Sequence, residues 1–181
     1  MRFWENRKIA CAVLVVCIIA SLLTGGGALM RQRTALVNQY TASAYSVSAE
    51  LSEMRSNAVR LASIASKYDA ADKTLIAALT IAVNALDTAE DVQGQYGASL
   101  LMQSAVENCY ANLSTLPLSS VDTSDIRYAY KNFTSALLRI SHDSYNELAA
   151  DFNAQLERFP ANVLGAVCGV KKLQLFASTL Q

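Results

Sequence analysis

The sequence predicts an all-α fold, with an N-terminal transmembrane helix followed by an elongated antiparallel bundle of three long helices, or four if the second is broken near Gly94 and Gly97. Three observations carry this reading. Residues 9–30 contain no charged side chain. Beyond them, apolar residues recur at alternating steps of three and four, the spacing that lines one face of a helix. Only two prolines and seven glycines punctuate 181 residues, and the intervening stretches of alanine, leucine, serine and glutamine are helical in composition. The chain accordingly divides into a membrane anchor at 1–30, a helical bundle at 31–160 and an apolar tail at 161–181.

Composition narrows the function classes. Hydrophobic residues make up 52% of the chain and charged residues 17%, against about one quarter charged in a soluble domain. A membrane segment accounts for the excess. Fifteen basic residues balance fifteen acidic ones, so no net field draws in nucleic acid over a distance, and a polynucleotide partner is not expected. Of the four cysteines, Cys11 and Cys17 fall inside the apolar run and none has a metal-ligand spacing. Cys109 and Cys168 form a disulfide only if the fold brings them together in an oxidising space.

At about 1.5 Å per residue, residues 9–30 are long enough for the ~30 Å hydrocarbon core. Ile9, Val13, Val16, Ile19 and Leu23 mark the span, and the strong apolar residues each favour insertion by roughly 0.3–0.6 kcal/mol. The same segment also fits a cleaved signal peptide, with Arg2, Arg7 and Lys8 as its basic end and Gly26-Gly27-Ala28 near a small-residue cleavage site. Three basic residues precede the span and Arg31 and Arg33 follow it. The balance leans toward a cytoplasmic N-terminus, so the expectation is a single-pass protein of the cytoplasmic membrane with an extracytoplasmic bundle.

Val37, Tyr40, Ala44, Val47, Leu51, Met54, Ala58, Leu61, Ala65 and Tyr68 form one heptad stripe, which predicts a first bundle helix over 28–68. A turn follows, with Asp69 or Asp72 as cap of the next helix. Ile76, Leu79, Val83 and Leu86 restart the stripe, and Leu100, Gln103, Val106, Tyr110 and Leu113 continue it. Gly94 and Gly97 lie between, as a kink or a break, each costing about 1 kcal/mol relative to alanine in a helix interior. Leu116-Pro117-Leu118 closes the second helix. Asp122 or Ser124 is expected to cap the third, whose stripe runs from Ile126 to Ile140, shifts phase at Ser144 in the manner of a stutter, and resumes at Tyr145, Leu148, Phe152, Leu156 and Phe159 before Pro160 ends it.

The last third carries a family resemblance. Tyr145-Asn146, Phe152-Asn153, Phe159-Pro160, Asn162, Gly165, Gly169-Val170-Lys171 and Phe176 stand in the order of the C-terminal pattern of the LemA family of bacterial membrane-anchored helical proteins, and Leu116-Pro117-Leu118 resembles its proline turn. The chain resembles a divergent member. Residues 54–61 replace a basic pair and a leucine-isoleucine-proline-asparagine run of that family, so no role of those residues carries over. The resemblance implies a membrane-anchored helical bundle and no reaction.

Nothing in the sequence supplies a reaction either. His142-Asp143-Ser144 has triad composition, but successive residues on a helix point about 100° apart and cannot converge. With one histidine and scattered carboxylates, neither a catalytic centre, a metal site nor a cofactor site is expected. Tyr145, Phe152 and Phe159, seven apart, read as core. Asn146 and Asn153 keep the same spacing and are expected to fix helix register by side-chain hydrogen bonds.

The tail is the candidate interaction element: Phe159, Pro160, Asn162, Val163, Leu164, Gly165, Val167, Gly169, Lys171 and Lys172. It is apolar, ends in two lysines, and is too short to span a bilayer. It either folds back over the end of the bundle or presents an apolar patch to a partner protein or a membrane surface. The expected function is that of a non-enzymatic, single-pass membrane scaffold or adaptor for another cell-envelope protein, with a sensor or signal-relay bundle as the alternative. The expected partners are the lipid bilayer, through the N-terminal helix, and a protein of the envelope; a homo-oligomer is left open.

Overall fold

The computed structural model describes residues 7–177, and every regular element among them is helical. The elements are α1 (Arg7–Ser21), a π-helical turn (Leu22–Gly26), α2 (Gly27–Thr41), α3 (Val47–Ala65), α4 (Lys73–Thr88), α5 (Val92–Ser114), α6 (Ser120–Ser141), α7 (Tyr145–Leu156) and α8 (Ala161–Cys168). The all-helical class and the apolar N-terminal helix expected from the sequence are both present. Arg2, counted above in the basic end, lies outside the described residues.

The chain divides into two compact units. The first comprises residues 1–38 and 147–173, and the second residues 39–146 and 174–181. In the second unit α3 packs chiefly against α6, and α4 against α5. Its core is built from Leu51, Met54, Ala58 and Leu61 of α3, Leu79 and Val83 of α4, Met102, Val106 and Leu113 of α5, and Ile126, Ala129, Phe133 and Ala136 of α6, all buried. Most of these are stripe positions of the sequence, with Met102, Ala129 and Ala136 filling gaps between them; the stripe residue Leu100 and the expected core residue Phe159 are instead exposed, at 48% and 83%.

Each of the three expected long helices is interrupted, and each interruption has a local cause. The helix expected over 28–68 stops at Thr41 and restarts at Val47, because the fully buried Ser46 adopts an extended backbone and its hydroxyl accepts from the Ala49 N–H. A stripe of threes and fours does not register such a break when the turn preserves phase. The second helix breaks at residues 89–91, just before the glycines and not at them. Asp91 caps α5 by accepting from the Gly94 N–H at 2.7 Å, so Gly94 sits in the first turn. The phase shift at Ser144 is a true helix end rather than a stutter: His142 terminates α6, and the Asp143 carboxylate accepts from the Tyr145 N–H at 2.7 Å to open α7.

Among the other caps, Asp72 opens α4 as one of the two expected candidates, accepting from the Thr74 N–H. Ser119, and neither Asp122 nor Ser124, opens α6. Its hydroxyl accepts from the Asp122 N–H at 3.0 Å and donates to the Asp122 carboxylate at 2.9 Å, a reciprocal arrangement that uses one serine for two bonds. Asp122 also receives the Lys67 ammonium at 2.8 Å and the Tyr68 hydroxyl at 2.7 Å. Elsewhere in this unit the buried Glu50 carboxylate of α3 is paired with Arg139 of α6, whose Nε donates to Glu50 Oε1 at 2.7 Å.

The four cysteines are free, so the Cys109–Cys168 disulfide considered above does not form; Cys109 is buried in α5.

Candidate functional site

The N-terminal helical run extends from Ile9 to Thr41, and it is long and apolar enough to cross a membrane. The expected span residues Ile9, Val13, Val16, Ile19 and Leu23 are all exposed, as are Leu14, Val15 and Ile18. These positions surround the helix at 100° per residue, so the whole circumference is apolar and uncovered by protein. A helix of this length and composition can cross a membrane, and a signal sequence has the same form.

The run is not uniform. At residues 22–26, Leu-Leu-Thr-Gly-Gly, the α-helix widens into one π-helical turn, a feature that interrupts the regular i to i−4 ladder. Helix α8 packs on this turn. Gly25 and Gly26 make the approach close: a methyl group on Gly25 would stand 2.7 Å from the Leu164 side chain, and one on Gly26 would collide with Cys168 Sγ. The Cys168 thiol points at the Leu22 carbonyl, with sulfur and oxygen 3.9 Å apart. Gly27 has no such neighbour. The glycines therefore form a seat for α8, a role the sequence offered only as three consecutive glycines in an apolar run.

Helix α8 is closed at both ends by its own chain. Asn162 N–H bonds the Arg158 carbonyl at 2.9 Å, Val163 N–H bonds Asn162 Oδ1 at 2.7 Å, and Leu164 N–H bonds the Pro160 carbonyl at 3.1 Å. At the far end Gly169 takes the left-handed conformation, φ 68°, and Val170 N–H returns to the Gly165 carbonyl at 2.9 Å, a Schellman ending that few residues but glycine adopt. Gly165 is buried against Leu156, where an added methyl would sit 3.1 Å from a leucine carbon.

The expected tail residues thus separate into two sets. Leu164, Gly165 and Cys168 face the protein. Phe159, Val163 and Val167 are exposed, Phe159 to 83%. Residues 161–173 of the tail belong to the first unit, where α8 packs on the N-terminal helix, and the residues from Gln174 onward belong to the second. Beyond α8, Arg33 Nε donates to the Lys171 carbonyl at 3.0 Å, and Lys172 pairs with Glu157 at 2.6 Å, which holds the Glu157 carboxyl below its ordinary range.

The two asparagines also have a role other than the expected one. Asn153 donates to the Leu173 carbonyl and accepts from the Leu173 N–H, both at 2.8 Å. In the second unit Asn146 does the same for Phe176, at 2.8 and 2.7 Å. Seven residues of helix rise about 10.5 Å, and three residues of extended chain cover about 10 Å, so the spacing of the asparagines matches that of their clients. They fix an extended C-terminal segment rather than a helix register.

Around that segment the second unit gathers aromatics. Tyr145 lies 4.8 Å from Tyr40, ring centre to ring centre, and donates its hydroxyl to the Gln174 carbonyl at 2.7 Å; Phe176 meets Tyr96 edge-on at 5.3 Å. Gln174 completes the start of α5 by accepting from the Val92 N–H and donating to Asp91. His142, Asp143 and Ser144 serve as end, cap and hydrogen-bond partner of Gln39. Gly94 and Gly97, considered above as a kink or a break, both lie within α5.

No family model, curated protein or solved structure matches the chain.

Proposed function

We propose that this is a single-pass membrane protein of the LemA type whose helical domain is a non-enzymatic scaffold or adaptor for another cell-envelope protein. The observation that carries the membrane half is the first part of the helical run, residues 9–21, uncharged and exposed around its circumference. Left in water, that surface would cost on the order of 25 cal/mol per Å², and a bilayer removes the cost.

The adaptor half draws on the α4–α5 hairpin. From residue 74 to 86 it carries no charge, and Ile81, Leu100 and Leu101 are exposed at 67%, 48% and 59%. Protein contacts are typically centred on charge-depleted surface of this kind. The LemA reading is supported by the order of the C-terminal motifs, and an extracytoplasmic domain by the distribution of basic residues about the span.

The test is site-specific photo-crosslinking in growing bacterial cells, with the crosslinker at position 81 or 101 and, as control, at the exposed position 131. The expected result is one discrete heterologous adduct in the membrane fraction from 81 and 101 alone, lost on Ile81→Glu and recovered when the identified partner is purified in turn. A self-adduct would replace the adaptor with a homo-oligomer, and no adduct at either position would remove the reading.

A signal-relay role is favoured by a different observation. The π-helical turn at Leu22–Gly26 sits inside the apolar run, and π-turns are frequent at functional sites. Conversion of that turn to regular α-helix would rotate everything beyond Gly27. Cysteine crosslinking between copies at positions 19 and 30 would report such a rotation as a change of pattern on stimulation.

A further inference from the structure

Helix α8 and the residues around it form an uncharged stretch of their own. From residue 159 to 170 there is no charged side chain, with Arg158 before it and Lys171 and Lys172 after it. The N-terminal run has the same form: residues 9–30 are uncharged, and Arg31 and Arg33 follow. The hydrogen bond from Arg33 Nε to the Lys171 backbone carbonyl, 3.0 Å, ties the residues just beyond one stretch to those just beyond the other. Both apolar stretches therefore end at one polar boundary. On the apolar side of that boundary α8 rests on Gly25 and Gly26, within the uncharged run itself.

What α8 turns outward there is apolar. Val163 and Val167 lie one helical turn apart and are exposed at 51% and 63%, and Phe159 is exposed at 83%. Backbone groups in a lipid environment must be satisfied without water. The N-terminal N–H groups of residues 162, 163 and 164 are held by Arg158, Asn162 and Pro160, and the C-terminal ending returns through Gly169 and Val170 to Gly165.

We infer that α8 is a lipid-embedded interfacial helix, inserting Phe159, Val163 and Val167 among the acyl chains of the leaflet in which the spanning helix carries Gly25 and Gly26. Helices of this class lie with their apolar face roughly 5–10 Å into the headgroup–acyl boundary. The basic residues Arg31, Arg33, Lys171 and Lys172 then stand at headgroup level. The protein is attached to the bilayer by two elements, a span and a short helix docked against it. The inference rests on the membrane reading proposed above.

The experiment uses the full chain with its four cysteines replaced by alanine, reconstituted into phosphatidylcholine–phosphatidylglycerol vesicles and shown to be helical by circular dichroism. An environment-sensitive fluorophore is attached through Phe159→Cys, Val163→Cys or Val167→Cys in turn, with Val16→Cys as the spanning control and Leu138→Cys, on α6, as the water control. Spin-labelled lipids carrying the nitroxide on the acyl chain act as quenchers. The expected result is blue-shifted emission and acyl-chain quenching at 163 and 167 and at 159, comparable with position 16, and aqueous emission without quenching at 138.

Quenching at 16 with aqueous behaviour at 159, 163 and 167 overturns the inference and leaves the membrane span standing. Aqueous behaviour at 16 removes the span and the inference with it. The vesicles contain no other protein, so a face that awaits a protein partner reads as aqueous in this assay. Because all three positions are exposed, at least one labelled variant retains the packing of Leu164 and Gly165 on which α8 depends.

Discussion

Asn153 holds both polar groups of Leu173, its amide nitrogen donating to the carbonyl and its amide oxygen accepting from the N–H, each at 2.8 Å. Few side chains can do this, since the asparagine amide has the donor–acceptor pair of a peptide in one plane. Each net hydrogen bond contributes about 0.5–1.5 kcal/mol. Asn153→Ala is therefore expected to release the segment around Leu173, accelerating amide exchange there by roughly 10- to 100-fold. Asn153→Asp keeps the acceptor and loses the donor, so it falls between. Hydrogen exchange read by mass spectrometry over residues 170–177 measures both, and unchanged exchange in Asn153→Ala would show that the segment is held by its apolar contacts alone.

The seat of α8 makes a position-specific prediction. Gly26→Ala places a methyl into Cys168 Sγ, whereas Gly27→Ala meets nothing nearer than the Arg31 side chain at 4.0 Å. In a variant retaining only Cys168, Gly26→Ala is expected to raise maleimide reactivity severalfold by lifting α8, and Gly27→Ala to leave it unchanged. Equal rates in the two variants would contradict the close approach.

The two glycines of α5 are expected to respond oppositely to alanine. Gly97 lies in the helix interior with no atom within 4 Å of an added methyl, so Gly97→Ala should stabilise the protein by about 0.5–1 kcal/mol. At Gly94 the methyl would stand 2.9 Å from Asp91 Oδ1, the oxygen that caps the helix. Loss of that cap costs about 1 kcal/mol and cancels the gain in helix propensity. Urea unfolding in detergent, with helicity as the probe, separates the two; a gain at both positions would mean that the Asp91 cap contributes little.

Acid stability should depend on Asp122. Hydrogen bonds from the Lys67 ammonium, the Tyr68 hydroxyl and the Ser119 hydroxyl, in that order, lower its carboxyl from 3.8 to about 2. The folded-state value lies below the unfolded one, so the stabilisation is complete above pH 3.8 and is lost as the pH falls through about 2. Asp122→Asn is expected to lower the melting temperature at pH 6 and to narrow its gap to the parent protein between pH 4 and 2. A gap independent of pH would assign the effect to lost geometry and not to charge.

Periodicity made the helical class, the apolar N-terminal helix and the core stripes legible in the sequence: Leu51, Met54, Leu61, Val106, Ile126 and Phe133 are buried as the stripes require. The interruptions at Ser46, Asp91 and Asp143 were not legible as a set. A cap is one side chain bonding one N–H, and serine and aspartate are equally at home on an exposed helix face. The candidate site was half legible. Its apolar, glycine-containing composition marked the tail, but nothing local links Gly26 to Cys168 or Asn153 to Leu173. Those contacts are fixed by the fold, and a glycine that is a seat for another helix reads in one dimension as a weak helix former.

The placement of α8 on Gly25 and Gly26 has a consequence for synthesis. The seat leaves the ribosome before the helix that fills it, which follows about 140 residues later. At about 5–20 residues per second, the notch in the N-terminal helix stays vacant for on the order of ten seconds on every nascent chain. During that interval it is open to lipid or to another helix, and the protein can occlude it only once residues 161–168 have been made.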